Sequence, residues 1–205
     1  MKTTLLFLFL ALASCNKDNS NTQQNTVNTL PSITTSGANT FGCKINGIVM
    51  VPRNSIGYIP PGSTHNPASY QKGTNYSFES IDAVDRRKET KSGGVYLYFQ
   101  SQPVITTPTT TGIQPIYNGI SPFEIGFNDH YKNYIYITRY VNNVAQFYVS
   151  IENTGTYKIL KSDLIIISGT FSCKAVNLNN PNDIINVTEG RFDVTKNTLI
   201  TTNFP

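Results

Sequence analysis

Three stretches constrain the fold more than anything else in this chain: GVYLYFQS (94–101), YIYITRYV (134–141) and AQFYVSI (145–151). Each alternates side-chain character with a period of two, which is the period of a β-strand, whose successive side chains point to opposite faces. In the first, Val95, Leu97 and Phe99 share one face, and Tyr96, Tyr98 and Gln100 share the other. In the second, Ile135, Ile137 and Val141 share a face interrupted by Arg139, opposite Tyr134, Tyr136, Thr138 and Tyr140. In the third, Phe147, Val149 and Ile151 oppose Gln146, Tyr148, Ser150 and Glu152. The aliphatic and Phe face reads as core, where each fully buried Leu, Ile or Phe contributes about 1.5–3 kcal/mol. The second and third strands are joined by Asn142-Asn143 and read as a hairpin. If the first strand lies beside them, Tyr96, Tyr98, Tyr134, Tyr136, Tyr140 and Tyr148 line one surface. Cross-strand packing accounts for such tyrosines structurally. Exposed, they form an aromatic platform for sugar rings or a partner surface.

The rest of the chain has the same texture. FGCKINGIVMVP contains an Asn46-Gly47 turn pair. YSFESIDAV, FEIGF and IINVTEGRFDV read as strands, and DLIIISGTFSCKAV as a long one with a bulge at Gly169. Between them lie a Pro/Gly-rich loop (60–75), a charged turn (DRRKET), an open loop (QPVITTPTTTGIQP) and a turn (NLNNPND). The chain has 12 Tyr, 11 Phe and no Trp, and only 14% of its residues are charged, a composition that favours strands and turns over helices. With no helical periodicity and no internal repeat, the fold class is all-β: a single antiparallel β-sandwich or barrel-like domain spanning 41–205.

The amino terminus reads as an address. Lys2 precedes an apolar run from Leu5 to Ala13, long enough for a signal peptide and too short to span a bilayer, which needs about 20 residues. Leu12-Ala13-Ser14-Cys15 resembles a bacterial lipobox. That resemblance implies cleavage after 14, lipidation of Cys15 and a membrane partner through that lipid. Asn16 in place of a retaining aspartate points to the outer membrane, on its periplasmic or cell-surface side. Residues 16–40 contain no aromatic residue and almost no charge, so 15–40 reads as a lipidated flexible tether.

The charge balance is too mild to imply nucleic acid, and none is expected as a partner. It is +4 for the whole chain (16 basic minus 12 acidic residues), and its basic residues are scattered. Cys43 and Cys173 both fall on the apolar phase of their strands, where they either form a disulfide or sit as two buried thiols. No catalytic motif emerges. The two histidines, His65 and His130, lie in loops without metal-ligand spacing, so neither a metal nor another cofactor is implied. A hydrolase, or an inhibitor of one, would draw on the loops around these histidines. Glu79, Asp82, Glu124 and Glu152 are the acids from which a carboxylate pair would come, and they read as solvated strand-edge residues. In GRFDV, Phe192 and Val194 point inward while Arg191 and Asp193 point outward and can pair with each other or across strands.

NTFGCKINGIVMVP near the start and ISGTFSCKAVN with INVTEGRFDV at the end resemble a family of small Bacteroidetes lipoproteins of unknown function, over roughly Asn39 to Val194. Met50 departs from the aromatic of that pattern. The resemblance implies an envelope location and a β-domain, and brings no catalytic residue. The chain thus reads as a non-enzymatic envelope lipoprotein that binds a glycan or an envelope protein, or serves a structural role.

Overall fold

The computed structural model describes residues 29–55, 66–73, 78–87, 93–100, 113–115, 118 and 133–204. Within them, eleven strands form one antiparallel sheet. They are β1 (Thr40–Ile45), β2 (Ile48–Met50), β3 (Ala68–Lys72), β4 (Phe78–Val84), β5 (Gly94–Gln100), β6 (Ile113–Pro115), β7 (Tyr134–Val141), β8 (Val144–Ser150), β9 (Thr156–Ser162), β10 (Ile166–Asn177) and β11 (Asn180–Thr195). Among the described residues the one helical element is a 3₁₀ turn at Leu199–Thr201. The all-β reading holds. β9, and the short β3 and β6 inside expected loops, are strands that the alternation did not reveal. The expected strand FEIGF lies outside the described residues.

Paired residues in left-handed conformation set two of the turns. Asn46 and Gly47 (φ 49° and 81°) join β1 to β2, and Asn142 and Asn143 (φ 50° and 64°) join β7 to β8. Two consecutive positive φ values match the twist of the flanking strands, and Asn and Gly adopt them at least cost. The bulge expected at Gly169 lies on its partner instead: the register between β10 and β9 shifts at Ser168/Gly169, but the extra residue is Leu160 of β9, and β10 stays in regular register with β11 there. A Cβ on Gly169 would lie 2.6 Å from the Lys158 carbonyl oxygen and 2.8 Å from the Phe192 ring.

The sheet runs β2-β1-β11-β10-β8-β7-β5-β4-β3, with β9 also on β10 and β6 on β9. β10 is the point of division. Its Ile167–Ser172 portion pairs with β9 and its Ala175–Asn177 end pairs with β8. Beyond it, β8-β7-β5-β4-β3 forms an arm that faces the β2-β1-β11-β10-β9 arm. The Phe99 ring of β5 packs against Phe192 of β11 (6.0 Å) and Tyr157 of β9 (5.8 Å). The buried Tyr157 hydroxyl donates to the Tyr134 carbonyl oxygen at 3.1 Å, crossing from one arm to the other. The molecule is therefore a sandwich made by one sheet folded over, with Leu97, Ile135, Ile137, Ile159, Ile167 and Val187 in a shared core.

The apolar body begins earlier than the composition suggests. Residues 29–40, expected as tether, lie as a strap on the β1-β11-β10 arm. Asp193, expected at the surface, is buried beneath it. Its carboxylate accepts from Thr34 Oγ1 (2.6 Å) and from the backbone N–H groups of Ser36, Gly37 and Ala38 (2.8–3.1 Å). Successive N–H groups converging on one anion form a nest, and bonds to an ionised acceptor are the stronger kind. Asn39 adds bonds to Thr195 and Thr202. Leu30 and Pro31 lie over Gly42, where an added Cβ would meet them at 2.9–3.1 Å. Arg191 does not pair with Asp193. It donates to the Pro31 carbonyl and forms an ion pair with Glu189. Phe192 and Val194 do point inward, as expected.

Cys43 and Cys173 are buried in the core cluster and are free thiols. The bridge expected as one alternative is absent for a geometric reason. The two residues sit on β1 and β10, which flank β11 on opposite sides. Two strand spacings amount to about 9–10 Å, beyond the roughly 7 Å between Cα atoms that a disulfide spans. Burial pushes the Cys173 thiol up to about 12 and raises Cys43 as well, leaving both as inert packing groups.

Candidate binding groove on the tyrosine face

Strand pairing places the six tyrosines. Tyr96 lies opposite Tyr136, and Tyr98 opposite Tyr134, so these four share the outer face of the β5–β7 pair. Tyr148 does not join them. The two-residue turn sets Val141 opposite Val144, and hence Ile137 opposite Tyr148 and Thr138 opposite Phe147. Residues directly opposite share a face. Tyr148 therefore points into the core with Ile137, at 1% exposure, while Phe147, expected inside, packs on the outer face against Tyr136 at 5.9 Å. The Tyr148 hydroxyl reaches the core's rim and donates to Asp183 at 2.7 Å, with Asn177 donating to the same oxygen at 3.0 Å. These bonds hold the Asp183 carboxyl below its ordinary range. Burial raises the Tyr148 hydroxyl, and the Asp183 bond adds to that.

The outer-face tyrosines divide again. Tyr98 and Tyr134 are buried, stacked on each other at 4.7 Å, with Phe78 on Tyr98 at 4.9 Å. Tyr96 and Tyr136 are half-buried, and Tyr140 is exposed. These three line a groove of about 490 Å³ together with Gln71, Asp82, Val84, Gly93, Gly94 and Thr138. The pairing explains the hollow. Across one row stand Asp82, Tyr96 and Tyr136, and across the next stand Val84, Gly94 and Thr138. Gly94 contributes no side chain, so its position is a pit between Val84, Thr138 and the tyrosine rings.

Two groups tune the pit. Asp82 is half-buried; burial raises its carboxyl, opposed by the positive charge of Arg86 and a backbone bond at Ala83. Tyr96 is raised chiefly by burial, with its hydroxyl bonded to Ser80 and Asp82 nearby. Sequence reading singled out Asp82 only as a candidate acid, placed Thr138 on the tyrosine face without a role, and missed Gln71 and Gly94. Their signal is the strand register, which sets Gly94 and Thr138 in the row beside Tyr96 and Tyr136, and Gln71 in the row of Tyr98 and Tyr134.

The other candidate residues scatter. Glu79, expected to be solvated, is wholly buried on the core side of β4, where it pairs with Lys196 at 3.4 Å and Lys72 at 4.0 Å. Its carboxylate and burial together raise the Tyr70 hydroxyl, burial being the larger cause. The cluster ties the segment after β11 to the β3–β4 edge. Glu79 and Asp82 project from opposite faces of β4, so they cannot serve as a carboxylate pair. Glu152 is exposed and bonds Asn118. Cys15, Glu124, His65 and His130 lie outside the described residues. No group of three potential metal ligands occurs among the described residues, and no helix there is long and apolar enough to cross a membrane. A second hollow, about 320 Å³, lies between the strap and the end of the chain, among Leu30, Pro31, Phe41, Val51 and Phe204. Comparison with protein-family models, curated proteins and solved structures finds no match for this chain.

Proposed function

We propose that this chain is a lipid-anchored binding module of the bacterial outer envelope, without catalytic activity, that holds a glycan or an envelope protein on the outer face of β5 and β7. One observation carries the reading: Tyr96, Tyr136 and Tyr140 gather around a pit floored by Gly94, in a groove whose size falls within the range of about 300–1,000 Å³ seen for small-molecule sites. Aromatic rings with polar rims beside a half-buried carboxylate form a recognition surface rather than a packing remnant. The anchor half of the proposal rests on Leu12-Ala13-Ser14-Cys15 behind its apolar run, and the small Bacteroidetes lipoproteins that the chain resembles suggest the same compartment.

Two measurements test it. Fractionation with carbonate washing retains the wild-type protein in the membrane and releases Cys15→Ala; a Cys15→Ala protein that stays membrane-bound defeats the anchor. Binding to glycan arrays and purified envelope proteins is lost in Tyr136→Ala; binding indifferent to Tyr136 and Tyr140 removes the groove.

A further inference from the structure

The geometry points to a neutral saccharide as the occupant of this groove, with a pyranose ring seated over Gly94 against the tyrosines and its hydroxyls turned toward Asp82 and Gln71. The inference rests on the binding-module reading above and narrows it to one ligand class.

Charge comes first. Among the described residues, Asp82 is the one carboxylate lining the groove, and no Lys, Arg or His lines it. An anionic ligand such as a phosphate or a uronate would face that carboxylate with no cation among the described lining residues, and burial makes the mismatch costly. A cationic ligand has less to gain than the lone carboxylate suggests. Arg86 already supplies positive charge to Asp82, and its guanidinium is fixed by two bonds to the Asn66 carbonyl (3.0–3.1 Å). What remains is a ligand that donates hydrogen bonds without bearing charge. A half-buried carboxylate accepts them well, and adjacent sugar hydroxyls supply them.

Shape comes second. Tyr96 and Tyr136 stand side by side on paired strands, and Tyr140 stands one turn of the pleat beyond Thr138. Ring faces and edges thereby bound a hollow with a backbone floor. The axial C–H face of a pyranose is flat and weakly apolar and rests on an aromatic face, while its equatorial hydroxyls project sideways to polar rims. The Gln71 amide both donates and accepts, and the Tyr96 hydroxyl and Thr138 add further polar contacts of the same kind. Val84 is the one aliphatic side chain among the described lining residues, too little to hold an acyl chain.

The test is isothermal titration of the detergent-solubilised full chain with three probes: a set of neutral gluco-, galacto- and manno-oligosaccharides, a sulfated oligosaccharide, and an oligolysine peptide. The expected result is heat from at least one neutral oligosaccharide and from neither charged probe. Tyr140→Ala and Asp82→Asn each weaken that binding about tenfold. Tyr140 is 48% exposed, so its variant reports on contact rather than folding, and far-ultraviolet dichroism confirms the fold of both. If only the oligolysine or only the sulfated probe binds, and does so through Tyr140, the saccharide is wrong and the binding module stands. If no probe binds, or binding ignores both substitutions, the saccharide and the groove fall together.

Discussion

Tyr136 and Tyr148 are the same residue type on neighbouring strands of one hairpin, and they do opposite things. Tyr148 is sealed among Ile137 and the core, with only its hydroxyl touching the rim, whereas Tyr136 faces out and helps to wall a groove. Hydrophobicity does not separate them, since the ring is identical. The turn does. With two residues in the loop, an odd-numbered residue of β7 always meets an even-numbered residue of β8, so a tyrosine at an even position is outside on one strand and inside on the next. The inner and outer faces of this arm are distinguished by parity before any packing energy is weighed.

Truncating the two kinds of tyrosine gives the largest contrast. Tyr148→Ala leaves a cavity in the core and unpairs the rim bond to Asp183, with an expected loss of about 3–5 kcal/mol, the scale for a buried aromatic. Tyr140→Ala, on the outer face, changes stability by no more than about 0.5 kcal/mol. Urea unfolding of both variants measures the difference, and equal losses would erase the distinction between the faces.

The strap offers the next largest effect. Asp193→Ala leaves three backbone N–H groups and the Thr34 hydroxyl without their acceptor, which costs about 1–3 kcal/mol. Limited proteolysis then cuts within 29–40 in the variant and spares that stretch in the wild type. A smaller effect tests the turn itself. Asn143→Val forces a β-branched residue to a φ of +64° and costs about 1–2 kcal/mol, while Asn143→Gly is near neutral. The smallest concerns pH. Because the folded state holds Asp183 below its ordinary pKa, its contribution is complete above the unfolded value of about 3.9 and is lost as pH falls through the folded one. The carboxylate lies near solvent, so the loss stays under about 1 kcal/mol; comparing acid titrations of wild type and Asp183→Asn isolates it.

Alternation in 94–100 and 134–141 made the strands and the aliphatic core legible. In 144–150 it revealed the strand but put Phe147 and Val149 on the wrong face. The Asn46-Gly47 and Asn142-Asn143 pairs made two hairpins legible. The inward faces of Cys43, Cys173, Phe192 and Val194 followed from the same period. The side of Tyr148 was encoded too, in the length of the loop before it, but each strand's hydrophobic pattern taken alone assigns Phe147 to the core. β9 escaped notice because Leu160 and Lys161 break the alternation begun by Tyr157 and Ile159, although both of those are core residues. The strap escaped for another reason. Its hold on the domain is backbone N–H to one distant carboxylate, and composition registers neither the N–H groups nor a partner some 155 residues away. The groove needed the register between β4, β5 and β7, because Gly94 becomes a pit only once Val84 and Thr138 are known to flank it.

Hydroxyl-radical footprinting of the native protein, read tyrosine by tyrosine by mass spectrometry, tests the central division most directly. The structure predicts rapid oxidation of Tyr140, slower oxidation of Tyr96 and Tyr136, and protection of Tyr98, Tyr134 and Tyr148 until the protein unfolds. Oxidation of Tyr148 at the rate of Tyr140, with Tyr136 protected, would place the hairpin in the other register and abolish the groove.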